Sequence, residues 1–306
     1  MQAPDPGPRT PKVSVVIVVF NQLHLTRACL ESFRPSTIPF DLVVVDNGST
    51  DGTPEYFHHF PERFPLRYHR NSSNLGLIRA LNQGWRIAGG EFLCFLHNDT
   101  EMLDPEWLAK LGSAAEVEAA GLVGLYGVKS VRRDGRYVGR TIVHALDDGP
   151  TLRAPVAEVA VVDGVCLFLR RSLLAELGGF DESYGFFHGY DRDLSFQVRE
   201  TGRRCFAVNA RFLHRGGGTR TSEAAREQSR DDLAERREAL THFAQKWKHR
   251  LPADVRPRGE RLRDWIVAKL WRSHPSPQPS PPGGEDKGEG RELGDRPASQ
   301  STGTFS

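Results

Sequence analysis

Apolar positions in the first hundred residues alternate between two rhythms. Short apolar or β-branched runs cover Val13 to Phe20, Leu42 to Val45, Leu66 to His69 and Phe92 to Leu96. Between them, Leu23 to Phe33 carries Leu25, Ala28, Cys29 and Phe33 at helical spacing and is closed by Pro35. Ile78 to Ala88 forms the matching segment before the fourth run. Strand and helix signals in alternation predict βαβ units, hence an α/β, Rossmann-like domain whose mainly parallel central sheet is flanked by helices. The first run has no polar alternation, as expected of a strand buried on both faces.

Open parallel sheets bind ligands at the carboxyl ends of their strands. Three of the four runs end in polar residues: Asn21, Asp46 and the trio His97-Asn98-Asp99. The topology therefore predicts that these residues share one rim.

Further along, Asp104-Pro105-Glu106 reads as a helix start with Asp at the cap and Pro in the first turn. Residues 122–163 suggest irregular strands and turns. Val161 to Leu169 is another apolar run, followed by a short helix over Ser172 to Leu177. A charged helix spans roughly Ser222 to Lys248, with Phe243 and Trp247 on one face. The expected organisation is a flexible N-terminus over 1–11, a single domain over 12–250, a basic amphipathic segment over 251–272 and a disordered low-complexity tail over 273–306.

Charge narrows the partners. A net charge of +2 over 306 residues gives no footprint for a nucleic acid, whereas an anionic small molecule remains compatible. The four cysteines are far apart and lack zinc-site spacing, so reduced, buried thiols are expected. No run approaches the roughly 20 apolar residues of a membrane span, and no secretory leader is evident, so the expected location is the cytoplasm. Leu262, Trp265, Ile266 and Trp271, interleaved with Arg261, Arg263, Lys269 and Arg272, suit either a peripheral contact with the inner membrane face or a helix packed on the domain.

Four segments taken in order, Val13 to Asn21, Val43 to Asp51, Leu96 to Thr100 and Gly178 to Leu194, resemble glycosyltransferase family 2, an inverting family with the GT-A fold. The resemblance covers roughly residues 12–250. It implies a nucleoside-diphosphate-sugar donor, a saccharide or lipid-linked saccharide acceptor and a divalent metal, Mn²⁺ or Mg²⁺. Phe20, Asn21 and Asp46 would hold base and ribose, although Asp46 to Asp51 also has the composition of a plain turn. Asn74 and Arg79 flank the start of the helix that passes beneath the nucleotide in such enzymes; a lone Arg equally suits a solvated helix face.

The trio His97-Asn98-Asp99 stands where the family carries its Asp-x-Asp metal motif. Asp99 would bind the ion on the donor diphosphate, with His97 and Asn98 facing the donor. His97 departs from the acidic residue usual at that position, and an imidazole suits Mn²⁺ better than Mg²⁺. His214 matches a family histidine beside the metal. Asp163 falls in a segment that lines the sugar pocket, or simply ends a strand.

Tyr190-Asp191-Arg192-Asp193 matches the acceptor-side segment, commonly Glu-Asp-x-Asp, which makes Asp191 the general base. Tyr190 departs from the usual Glu, and Asp193 would support the base or contact the acceptor. The two departures keep a second reading open: a GT-A-shaped protein that binds a nucleotide-sugar or glycan without turnover. A nucleotidyltransferase would need a Gly-rich loop after its first strand, and Val13 to Gln22 contains no glycine.

Overall fold

The computed structural model describes residues 13–61, 64–138, 142–144, 154–215 and 231–272. The expected flexible N-terminus, the tail and residues 222–230 of the charged helix lie outside the described residues. The four early runs form β1 (Val13–Val19), β2 (Phe40–Asp46), β3 (Leu66–Arg70) and β4 (Phe92–Leu96). They alternate with α1 (Leu23–Ser32), α2 (Thr53–His58) and α3 (Leu77–Ile87).

The next stretch contains β5 (Thr100–Met102), α4 (Trp107–Ala115), β6 (Ala120–Gly124), β7 (Tyr126–Val128), β8 (Ser130–Val131) and β9 (Ile142–His144). Then come β10 (Val156–Val159), β11 (Val161–Val162), β12 (Cys166–Arg170), α5 (Arg171–Glu176) and α6 (Tyr190–Glu200). β13 (Arg204–Val208), β14 (Phe212–His214), α7 (Asp232–Lys246), β15 (Ala253–Asp254) and α8 (Arg258–Arg272) follow.

Eight strands make the central sheet in the order β10-β13-β6-β12-β4-β1-β2-β3. β1, β2, β3 and β4 run parallel, as do β6 and β13, while β12 and β10 run antiparallel to their neighbours. Alternation along β1 explains the two cores. Val15, Ile17 and Val19 pack with α1 and α4 through Cys29, Phe33, Trp107 and Leu111, whereas Val16 packs with Ile78 and Leu81 of α3 on the opposite face. That second core extends through Leu194 and Phe196 of α6 to Phe243 of α7 and Trp247.

Two expectations shift. The helix after β5 starts at Trp107 and not at Asp104-Pro105, because Asp104 closes a tight turn by accepting from the Glu106 and Trp107 backbone N–H groups through its side chain and carbonyl. The apolar run Val161 to Leu169 is two strands, broken by the turn at Asp163-Gly164-Val165.

All four cysteines are free and buried. Contacts divide the chain into two units, Met1–Glu260 and Arg261–Ser306. In the second unit, Leu262, Trp265 and Ile266 are exposed along α8. Among the described residues, no helix is long and apolar enough to cross a membrane.

Candidate active site

The carboxyl ends of β1, β2 and β4 share one rim because these strands are parallel neighbours. β12 runs antiparallel to β4 with Cys166 opposite Leu96, so the turn that precedes it, Asp163 to Val165, returns to the same rim. The His97 N–H donates to the Val165 carbonyl at 3.1 Å and fastens the two segments together.

Three potential metal ligands converge there. His97, Asp99 and His214 each offer an atom, and these atoms lie within 4.8 Å of one another. A small ladder between β5 and β14 accounts for the arrival of the distant member: His214 pairs with Thr100, beside Asp99, and the Arg215 N–H donates to the Asp99 carbonyl. His214 Nε2 approaches Asp99 Oδ1 to 3.2 Å, and His97 Nδ1 lies 4.0 Å from the same oxygen. Burial acts to raise the Asp99 pKa, but the His214 hydrogen bond and the His97 charge outweigh it and hold the carboxyl at about 2. A carboxylate between two imidazoles is a mixed oxygen and nitrogen donor set, which fits Mn²⁺ or a later transition ion better than Mg²⁺.

Beside this cluster begins α6. Gly189 precedes it with φ +85°, and a Cβ there would lie 2.5 Å from a Tyr184 ring carbon, so glycine is required both for the left-handed turn and for space. The helix starts Tyr190, Asp191, Arg192, Asp193, and these four point to different surroundings. Tyr190 is buried, and its hydroxyl lies 3.0 Å from His97 Nε2. Asp191 is half-buried, and its charge acts repulsively on Asp163. Burial first, and then the charge of Asp191, push the Asp163 carboxyl up to about 6. One Asp163 oxygen accepts from the Val165 N–H at 3.0 Å, which makes the turn before β12.

Several residues expected to face a ligand make hydrogen bonds or packing contacts within the protein. Asp46 is 0% exposed, with its oxygens taken by the Ser49 N–H at 2.8 Å and the Tyr68 hydroxyl at 2.6 Å. The bland turn reading is the one its surroundings match. Phe20 is buried in the core at the end of β1. Asn98 is buried and donates to Thr26 Oγ1 of α1. Asn74 accepts from the Asn47 amide and the Gly76 N–H, and so shapes the entry to α3. Arg79 is largely exposed and pairs with Glu182 at 3.5 Å, a surface bridge of small energetic weight.

Of the two roles open to Asp193, support or acceptor contact, its surroundings match support. Its carboxylate is 0% exposed and accepts from the Tyr184 hydroxyl, the Trp247 indole N–H, the Gln197 amide and the Lys246 ammonium. A group so enclosed offers nothing to an acceptor and instead ties α6 to α7 and the turn after it.

Asn21 is intermediate. It holds φ +55°, donates its N–H to Ser49 Oγ and accepts from the Thr50 N–H, binding the β1 and β2 ends into one surface. Arg192, with the Tyr137 it stacks on, escaped the sequence reading. Arg192 stacks over the Tyr137 ring at 4.0 Å and donates to the Gly135 carbonyl, and its charge acts on both Asp163 and the neighbouring ring hydroxyl. Only its place between two aspartates hinted at a role.

The architecture has close counterparts. PcManGT, a mannosyltransferase from Pyrobaculum calidifontis solved with GDP-Man and Mn²⁺, superposes with a TM-score of 0.53 at 20% identity, covering 89% of this chain and 84% of that one. The sheet and its flanking helices are those of the GT-A glycosyltransferase fold. The chain belongs to the Glycosyl transferase family 2, whose model matches residues 14–178, more than half of its length. Relatives include the O-antigen biosynthesis protein RfbC of Myxococcus xanthus, 30% identical over 70% of this chain, which spans only 18% of the length of RfbC. A PGL/p-HBAD biosynthesis glycosyltransferase of Mycobacterium bovis is 29% identical over 67% of this chain and 74% of its own length.

Proposed function

We propose that this chain is an inverting hexosyl- or deoxyhexosyltransferase that moves a sugar from a nucleoside-diphosphate-sugar to a hydroxyl of a saccharide or lipid-linked saccharide in the building of a cell-envelope polysaccharide. The observation that carries the reading is the convergence of His97, Asp99 and His214 with the first turn of α6, where Asp191 stands. The complex of PcManGT with GDP-Man and Mn²⁺, and the O-antigen role in the name of RfbC, support the donor class and the setting.

Asp99 and His214, with His97, would hold a divalent cation, which when bound supplies positive charge to the departing diphosphate. The chain's own groups do the rest. Asp191 accepts the proton of the acceptor hydroxyl as that oxygen attacks the anomeric carbon from the face opposite the diphosphate. The bond to the diphosphate breaks in the same displacement, so the sugar's configuration inverts. Asn21 and the surface it organises lie on the strand-end rim beside the metal residues, where a nucleotide would rest. Asp163, with its carboxyl at about 6, is suited to donate a hydrogen bond to a sugar oxygen as well as to accept one. α8, with Arg261 and Arg263 beside exposed Leu262, Trp265 and Ile266, would rest on an anionic inner membrane surface near a lipid-linked acceptor.

Calorimetric titration with UDP, dTDP and GDP, and then with their sugars, with and without Mn²⁺, tests the donor site. One nucleotide should bind, and more tightly with the ion. In Asp99→Ala the Mn²⁺-dependent part of that affinity should vanish; an unchanged metal dependence would remove Asp99 from the site. Absence of binding by any of the three, from folded protein, would favour a glycan-binding protein without turnover or a donor site completed by a partner.

A further inference from the structure

The two positions at which this chain departs from the family pattern touch each other. His97 stands at the first position of the metal motif and Tyr190 precedes the base, and the phenol oxygen of Tyr190 lies 3.0 Å from His97 Nε2. They are ninety-three residues apart in sequence. An acidic residue at each position would bring two negative groups together; a phenol and an imidazole make a hydrogen bond instead.

The surroundings are arranged for that bond. Tyr190 is 6% exposed, and its ring packs edge-on against Phe180 with centroids 5.9 Å apart. Gly164, in the turn before β12, lies directly against the phenol: a Cβ there would fall 2.2 Å from the hydroxyl oxygen. Any other residue at 164 would displace the group that reaches His97. The His97 backbone is held in turn by the Val165 carbonyl, so the turn that makes room for the phenol also fixes the ring it meets.

The two nitrogens of an imidazole divide their labour. A ring that ligates a metal through one nitrogen commonly donates the N–H of the other to a neighbouring acceptor, which sets tautomer and orientation. His97 Nε2 faces the phenol, while Nδ1 lies on the Asp99 side, 4.0 Å from its Oδ1. We infer that Tyr190 is a positioning residue of the metal centre, accepting the Nε2–H of His97 so that the Nδ1 lone pair is directed at a transition-metal ion shared with Asp99 and His214. This rests on the metal reading of the preceding section and extends it. The same helix turn then serves both substrates, since Tyr190 orients a ligand on the donor side and the adjacent Asp191 faces the acceptor.

Mn²⁺ affinity of the metal-free full chain, measured by calorimetry, is the first readout, and the ¹⁵N shifts of the His97 ring without metal are the second. Tyr190→Phe keeps the ring and its contact with Phe180, so the thermal unfolding of the variant checks that the fold is retained. Mn²⁺ binding should weaken about 10- to 100-fold, and the His97 ring should pass from a single Nε2–H tautomer to a mixture. In a His97→Asp background the same substitution should have no further effect on Mn²⁺, since the ring it positions is gone. If Asp99→Ala weakens Mn²⁺ binding but Tyr190→Phe leaves both affinity and tautomer unchanged, the positioning role is overturned while the metal site stands. If Asp99→Ala also leaves Mn²⁺ binding unchanged, the metal reading itself falls and takes this role with it.

Discussion

Asp191→Asn is expected to transfer sugar at least about 100-fold more slowly than the unaltered protein, while binding its nucleotide-sugar with the same affinity. The substitution preserves shape and leaves the start of α6 intact, so what it removes is the capacity to take a proton. Its neighbour makes the measurement discriminating. Asp163 is a neighbouring carboxyl, and burial together with the charge of Asp191 raises it to about 6. A carboxyl in that range is protonated in part near neutral pH and is the poorer candidate to remain a permanent acceptor. Single-turnover rates for Asp191→Asn and Asp163→Asn separate the two. A near-normal rate for the first and a collapse for the second would transfer the base to Asp163.

Asp193→Ala is expected to act on stability and not on acceptor recognition. The substitution leaves the Tyr184 hydroxyl and the Trp247 N–H, both inside the protein, without their acceptor. Removing one side of a buried, hydrogen-bonded ionic cluster costs about 3–5 kcal/mol, against a total of about 5–15 kcal/mol for a typical protein. The denaturation midpoint should fall accordingly with little change in slope. Asp193→Asn, which keeps one oxygen, should lose less. An acceptor contact would show the opposite pattern, an unchanged midpoint with a raised KM for acceptor, and that result would contradict the enclosure seen around this carboxylate.

The strands that carry the rim were legible because each is buried on both faces, and an uninterrupted run such as Val13 to Val19 has few other interpretations. The second half of the sheet was not. β6, β10, β12 and β13 are four or five residues each and join the sheet out of chain order. Nothing in the local pattern of Ala120 to Gly124 announces a pairing with residues more than eighty positions on.

In the site, residue types were easier to read than directions. Asp46, Asn98 and Asp193 lie in motifs that border the rim, yet each turns inward and completes a loop or a helix junction. A polar motif in sequence records where a site is built without telling which of its members are exposed and which brace them. Asp191 and Asp193 make the point within one turn of α6, since a spacing of two residues on a helix sends the side chains to different faces. The meeting of His97 with Tyr190 was likewise invisible, because each looked like an isolated departure until the sheet brought them together.

The ribbon of β5 and β14 gives the chain a schedule. Asp99 is made early, whereas β14, which carries His214 to the β5 edge, follows all eight strands of the central sheet in the chain. On a ribosome, an emerging chain that stops short of β14 would carry the carboxylate without its imidazole neighbour. A site built from His97, Asp99 and His214 would thus be complete only once nearly the whole domain has been made.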